Sequence, residues 1–80
     1  MKTIYIGAEN ERDAIGILND MFFNNYFSFY DEETLQQADV DDVDYDEAYC
    51  HSDAYPGIMA IFNPKAFKGL TVYSVDVEEM

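Results

Sequence analysis

Apolar and polar positions alternate near both ends of the chain, which is the period of a β-strand. In the first such segment, Lys2 to Gly7, Ile4 and Ile6 lie on the same face. In the last, Leu70 to Val77, apolar residues likewise recur at every second position. The apolar run from Ile58 to Phe62 also has the length of a strand. Because these last two strands are close in sequence, we expect them to pair antiparallel.

A helical period follows the first strand. Apolar residues recur three and four positions apart, at Ala14, Ile17, Leu18 and Met21. Asn10 precedes them and is a residue type that caps helices well. Asn24 and Asn25 follow them and mark the end. The pattern predicts an amphipathic helix that packs against the sheet, and close packing would be a reason to tolerate Gly16 in its interior.

The segment after this helix changes character several times. Tyr26 to Tyr30 is short and aromatic, which favours a strand. Asp31 to Ala38 reads as a short helix with Asp31 as its cap. The Asp-rich stretch from 39 to 47 fits either a helix or an ordered loop. Asp44 is a suitable cap for a second short helix that runs through Tyr49.

Two turn signals complete the pattern. Pro56-Gly57 predicts a turn, and Asn63 to Gly69 predicts a connection with its own turn of helix. Eighty residues form one domain at most, here residues 1–80. We therefore expect an α+β fold, with a mostly antiparallel sheet of three or four strands and two or three short helices on one face.

The distribution of charge distinguishes this chain from an ordinary small domain. Between Arg12 and Lys65 the chain has no Lys or Arg, and these 52 positions carry twelve carboxylates. The formal net charge is −13. Nucleic acid and anionic membranes would repel such a protein. Because so many unneutralised charges destabilise the folded state, the composition predicts a cationic partner, either a basic protein surface or a metal ion.

The candidate binding residues are centred on the Asp-rich run. In either a helix or a strand, its carboxylates form rows that offer Arg and Lys side chains a substitute for phosphates. Tyrosines among the acids can stack on arginines of a partner. The alternative is a solvated acidic face that only maintains solubility. The predicted partner-binding residues are Asp31, Glu32, Glu33, Asp39, Asp41, Asp42, Asp44, Tyr45, Asp46, Glu47 and Tyr49.

A calcium loop is a second interpretation of the same run. Asp42, Asp44 and Asp46 match the first, third and fifth ligand positions of an EF-hand, and Asp53 falls at the twelfth. The sixth position, however, is Glu47 instead of the glycine that the sharp turn requires. We therefore expect no specific metal site and no cofactor, and keep a Ca²⁺-binding module as an alternative.

Catalytic chemistry has little support in the sequence. Cys50 and His51 are adjacent, which suits neither a shared zinc ion nor a Cys–His pair that must face each other. No phosphate-binding loop, serine elbow or HExxH motif is present, so the chain is not expected to be an enzyme.

The location of the protein is inferred from further absences. The lone cysteine allows no internal disulfide, and no apolar run is long enough to span a membrane. The start of the chain does not have the form of a signal peptide. These features predict a cytoplasmic protein with no membrane partner.

The aromatic segment from Phe22 to Tyr30 has two interpretations. Most of its rings are expected in the core, since large rings supply much of the buried area of a small domain. So many rings are nevertheless hard to bury in eighty residues, and an exposed remainder would form an interface. A small regulatory protein that forms a homodimer through this segment is thus the alternative function.

In size, charge and aromatic content the chain resembles the small acidic DNA-mimic inhibitors that bacteriophages and mobile elements encode. Its opening Ile4-Tyr5-Ile6-Gly7 is similar to the start of ArdA-type anti-restriction proteins. The resemblance implies a non-enzymatic inhibitor, without cofactor, that occupies the Lys- and Arg-lined nucleic-acid channel of a host defence protein. By analogy the first target is a CRISPR effector and the second a restriction or repair enzyme.

Overall fold

A computed structural model describes residues 1–52 and 57–80. Within these residues the chain forms a five-stranded mixed sheet, one α-helix and three single turns of 3₁₀ helix. The strands and the α-helix are β1 (Lys2–Ala8), α1 (Glu11–Phe23), β2 (Phe29–Gln37), β3 (Ala48–His51), β4 (Ile58–Ala60) and β5 (Thr71–Glu78). The first, second and third 3₁₀ turns are Val40–Asp42, Tyr45–Glu47 and Pro64–Phe67. The α+β class is confirmed, whereas the predicted count of three or four strands is wrong, because the sheet has five.

The strands lie in the order β2-β5-β1-β3-β4. β1 pairs with β3 in parallel, and the other neighbours are antiparallel. The predicted pairing of the last two strands is wrong, because β5 lies between β2 and β1. The reason is visible along β5, where consecutive residues from Val72 to Val75 are buried. A strand buried on both faces must be central, whereas β4 is only partly buried and lies at the edge.

The main core lies between α1 and one face of the sheet. The predicted helix is confirmed, and the Asn10 side chain accepts a hydrogen bond from the Asp13 N–H at 2.9 Å. Gly16 is exposed with open space around it, so close packing is not the reason for this glycine. The core residues of this face are Ile4, Ile6, Ala8, Ala14, Ile17, Leu18, Met21, Phe27, Tyr73, Val75 and Val77.

The opposite face of the sheet carries a second, smaller core. It consists of Ala48, Cys50, Ile61, Phe67 and Val72. The third 3₁₀ turn, predicted from the sequence, brings the Phe67 ring against Gly7, where any Cβ would overlap it. This glycine therefore allows the connection to close over β1. The remainder of this face, toward β2, is less covered: Thr3 is exposed and Asp31 and Asp76 are half-buried, although Ser74 is buried.

Three sequence predictions fail between the helix and the parallel strand. Residues 31–38 are not a helix, since residues 31–37 belong to β2, and the predicted strand 26–30 begins only at Phe29. Residues 48–49 likewise belong to β3 and not to a helix. In each case pairing with a neighbouring strand outweighs local helix signals, which are weak for so short a segment. One α-helix, instead of two or three short helices, therefore covers the main face.

Asp31, predicted as a helix cap, lies in a bulge of β2. The register of β2 against β5 shifts between Asp31 and Gln36, which marks a bulge. Inside the bulge the Glu33 N–H donates to Asp31 Oδ1 at 3.1 Å. Asp31 thus caps a local turn of the bulge and not a helix. The predicted turn at Pro56 lies outside the described residues; Gly57 has a positive φ of 113°.

Candidate partner-binding surface

The open part of the sheet carries a row of polar residues across three strands. In the register of the sheet Asp31 faces Asp76, and Asp76 faces Thr3. Directly opposed residues of antiparallel strands project on the same face, about 4.5–5.5 Å apart at their Cβ atoms. Two carboxylates of different strands are therefore held next to each other on this face.

Hydrogen bonds fix this row in place. Thr3 Oγ1 donates to Asp76 Oδ1 at 2.8 Å, and the Asp76 N–H donates to Thr34 Oγ1 at 2.8 Å. Thr34 Oγ1 in turn donates to the Asp31 carbonyl oxygen at 2.7 Å. Asp31 and Asp76 are both half-buried residues. Neither carboxylate forms an ion pair with a described residue. The sheet thus presents ordered negative charge that no cation of the described residues pairs with.

The Asp-rich run is an ordered loop made of two similar turns, which settles the alternatives of helix and loop. Asp39 caps the first 3₁₀ turn and Asp44 caps the second, as predicted for Asp44. Each cap carboxylate accepts the backbone N–H two residues later, from Asp41 and from Asp46, at 3.1 Å. Such local bonds favour turns at aspartate and fix where the neighbouring side chains project.

A groove separates the first of these turns from the open face. It has a volume of about 370 Å³. Thr3, Tyr5 and Ser74 of the sheet line it on one side, and Asp39 and Asp42 line it on the other. Two acids of the loop and the polar side of the sheet therefore border the same space. We call the groove, with Asp31 and Asp76, the acidic face.

Glu47 differs from the other acids of the run. Its Oε2 lies 3.1 Å from Lys2 Nζ, which also lies 2.7 Å from Glu79 Oε1. Hydrogen bonding to Glu79 is the main cause of the raised pKa of Lys2, and the same bond lowers the pKa of the Glu79 carboxyl. Glu47 is thus neutralised within the molecule and is a weaker candidate for binding a partner.

Cations are otherwise scarce among residues 1–52 and 57–80. The remaining ion pair joins His51 Nε2 to Asp20 Oδ2 at 3.4 Å and requires a protonated imidazole. Arg12, Lys65 and Lys68 form no ion pair with a described residue. Most carboxylates of this part of the chain therefore have no ion-pair partner within it.

The two predicted tyrosines are not freely exposed. The Tyr45 ring packs against Phe67, with ring centroids 5.7 Å apart. Tyr49 faces Ile6 across the parallel pair and stacks edge-on against Tyr26, with centroids 6.1 Å apart. It therefore lies on the α1 side of the sheet, away from the acidic face. Burial raises the pKa of the Tyr49 hydroxyl, and the Glu47 charge raises it further.

The predicted acids are thus divided among several places. Asp31, Asp39 and Asp42 border the acidic face, whereas Glu32 and Glu33 are exposed in the bulge of the edge strand β2. Asp41, Asp44 and Asp46 are exposed along the two 3₁₀ turns.

Sequence reasoning missed Thr3 and Asp76 because they are 73 positions apart in the chain. The alternation of β5, which places Ser74 and Asp76 on the less apolar side, was the signal that could have identified Asp76.

Neither metal nor thiol chemistry gains support from the geometry. Within residues 1–52 and 57–80, no three His, Cys, Asp or Glu side chains are placed to hold a metal ion together. Asp53, the twelfth position of the calcium pattern, lies outside them. Cys50 is buried, which raises the pKa of its thiol. Cys50 and His51 are successive residues of a strand, so their side chains project to opposite faces of the sheet.

Comparison with protein families, characterised proteins and solved structures finds no match for this chain. Among the described residues, no helix combines the length and apolar character needed to cross a membrane.

Proposed function

We propose that this protein is a non-enzymatic inhibitor that imitates the charge of nucleic acid. Its acidic face and the two aspartate-capped turns would occupy the basic channel of a host defence protein. A CRISPR effector is the first candidate target and a restriction or repair enzyme the second. The observation that carries the proposal is the opposed pair Asp31 and Asp76, held by hydrogen bonds with no cation from the described residues.

The spacing of the charges supports imitation of a polyanion. Neighbouring strands lie about 4.8 Å apart, and same-face residues along one strand lie about 6.6–6.8 Å apart. Duplex DNA carries one charge per roughly 3.4 Å of axis on each strand. Carboxylates at these distances can engage Lys and Arg side chains that are arranged to follow a phosphate backbone.

Order distinguishes such a surface from an acidic coat that only maintains solubility. A carboxylate that serves only solubility is hydrated equally well in many side-chain conformations, so it needs no fixed position. Here Thr3, Glu33 and Thr34 fix the two aspartates or the backbone beside them. Pre-organised charges bind a partner without losing further side-chain entropy, which favours affinity.

The proposed mechanism is competitive occupancy. Complementary potentials accelerate encounter between the acidic face and a basic channel, and the association weakens as salt screens it. Binding excludes nucleic acid from the same channel. No bond is made or broken, and no cofactor is required.

The test is capture of partners from bacterial lysate by the tagged protein, followed by mass spectrometry and elution with duplex DNA. Wild type should retain basic nucleic-acid-binding proteins that DNA then displaces. The variant Asp31→Lys/Asp76→Lys should lose them. The control Glu9→Lys/Glu11→Lys makes the same change in net charge outside the acidic face and should retain them.

Two results would contradict the proposal. Equal loss in both double variants would mean that only net charge matters. Retention of the partner by Asp31→Lys/Asp76→Lys, with the fold verified by circular dichroism, would exclude the acidic face as the binding site.

A homodimerising interaction protein is the second candidate, favoured by exposed rings at the end of α1. Phe22 is 46% exposed and Phe23 is 81% exposed. Sedimentation of wild type against Phe23→Ser distinguishes the two functions. A dimer that dissociates in the variant would support this candidate, and a monomer at all concentrations would exclude it.

A further inference from the structure

One aromatic side chain lies directly beside the opposed aspartates. Phe29, at the start of β2, faces Glu78 of β5 and is 50% exposed. Asp31 is two residues further along the same strand and thus projects on the same face. Ser28 secures this end of the strand, since its N–H donates to the Glu78 carbonyl oxygen at 2.9 Å. An apolar ring therefore projects on the same face as three neighbouring carboxylates, those of Asp31, Asp76 and Glu78.

From this arrangement we infer that the face formed by Phe29, Asp31, Asp76 and Glu78 is a docking site for an arginine side chain of the partner. The inference rests on the proposed function and specifies which basic residue the acidic face prefers. A guanidinium group is planar, stacks on aromatic rings and pairs with carboxylates through two parallel hydrogen bonds. A lysine ammonium is strongly hydrated and lacks that planar fork.

Charge complementarity decides between an arginine and other occupants. A second copy of the chain would bring its own carboxylates and its charge of −13 against the same face. An apolar segment would remove Asp31 and Asp76 from water without pairing them, which is strongly unfavourable. An arginine covers the exposed ring and neutralises the carboxylates at once.

Phe62 provides a matched control. It is 70% exposed, follows the opposite edge strand β4 and lies three residues before Lys65. Removal of its ring takes away at least as much exposed aromatic area as removal of the Phe29 ring. It does so at the far side of the sheet from the opposed aspartates.

The experiment compares binding of hexa-arginine and hexa-lysine peptides to the whole protein by calorimetry at one fixed salt concentration. Wild type should bind the arginine peptide more tightly, by about threefold to tenfold, the range expected for one cation–π contact. Phe29→Leu should lose most of this ratio. Phe29→Tyr, which keeps a ring, and Phe62→Leu should both retain it.

Each result is decisive. Equal affinity of wild type for the two peptides, or an unchanged ratio in a folded Phe29→Leu, would overturn the arginine site while leaving the proposed function standing. Failure of wild type to bind either peptide would overturn the arginine site and the proposed function together. A ratio that falls equally in Phe62→Leu would assign the preference to general hydrophobic contact and also overturn the site.

Discussion

Asp31 and Asp76 face each other across β2 and β5, so that the fold holds two like charges in directly opposed positions. Opposed like charges destabilise a sheet, whereas favourable cross-strand pairs contribute about 0.2–1 kcal/mol. Charge at this point of the molecule therefore lowers stability, and it is explicable if a partner supplies the missing cation. Removal of one of these two charges should then increase the stability of the free protein and weaken its binding to a partner.

The first prediction is that Asp76→Asn stabilises the free protein by a few tenths of a kcal/mol, up to about 1 kcal/mol. The asparagine keeps an oxygen that can accept from Thr3, so the hydrogen bond at 2.8 Å survives while the repulsion disappears. Urea unfolding measures the change. Glu9→Gln, which removes an exposed charge elsewhere, should shift the midpoint less, and a destabilised Asp76→Asn would contradict this account.

The second prediction concerns salt. Because few carboxylates among residues 1–52 and 57–80 form ion pairs, sodium chloride should raise the melting temperature of wild type by screening repulsion. Scanning calorimetry between low and high salt provides the measurement. Asp31→Asn/Asp76→Asn should show a smaller rise. A melting temperature that falls with salt would mean that attractive pairs, such as that of Lys2 and Glu79, dominate instead.

The third prediction concerns alkaline pH. Burial raises the pKa of Tyr49 above its ordinary value of about 10.0. Its hydroxyl therefore ionises more readily in the unfolded chain. The resulting stability is fully present below pH 10 and is lost as the pH rises through the folded pKa. Unfolding by urea at several pH values should show this decline, and Tyr49→Phe should reduce it. An identical pH dependence in Tyr49→Phe would contradict the assignment.

The fourth prediction compares two glycines. Gly7→Ala places a methyl group into the buried Phe67 ring and should destabilise the protein by about 1–3 kcal/mol. Gly16→Ala adds a methyl group in open space on α1 and should stabilise it by about 0.5–1 kcal/mol. Thermal denaturation of both variants tests the close approach, and equal effects would show that it is unimportant.

Local patterns predicted much of this fold. β1, α1, the third 3₁₀ turn and β5 were predictable because each has a complete signal within its own residues. The Asn10 cap and the helical spacing specify α1 without reference to the rest of the chain. Alternation does the same for β1 and β5.

The pairing of the strands was harder to predict from the sequence. β2 contains acids and glutamines that suit a helix turn, and only its contact with β5 makes it a strand. β3 forms through parallel pairing with β1, about forty residues away, and no local pattern reports such a contact. The open part of the sheet, and hence the partnership of Asp31 with Asp76, could not be derived until the strand order was known.

The predicted binding residues lie in several separate places for the same reason. The sequence analysis grouped residues that are close together along the chain. The register of the sheet, however, places Tyr49 and Asp31 on opposite faces. Glu47 looked equivalent to Asp46, but the proximity of Lys2 makes it an internal ion-pair partner. Charge composition predicts the sign of a partner, while only the strand register identifies which charges act together.

The position of β5 also has a consequence during protein synthesis. β5 is synthesised after the other four strands of the sheet, and it lies between β1 and β2. A nascent chain without residues 71–78 cannot bring these two strands together, and it exposes the apolar side of α1. We expect folding to begin only after translation has passed Glu78, so that premature stops upstream give products that proteases remove.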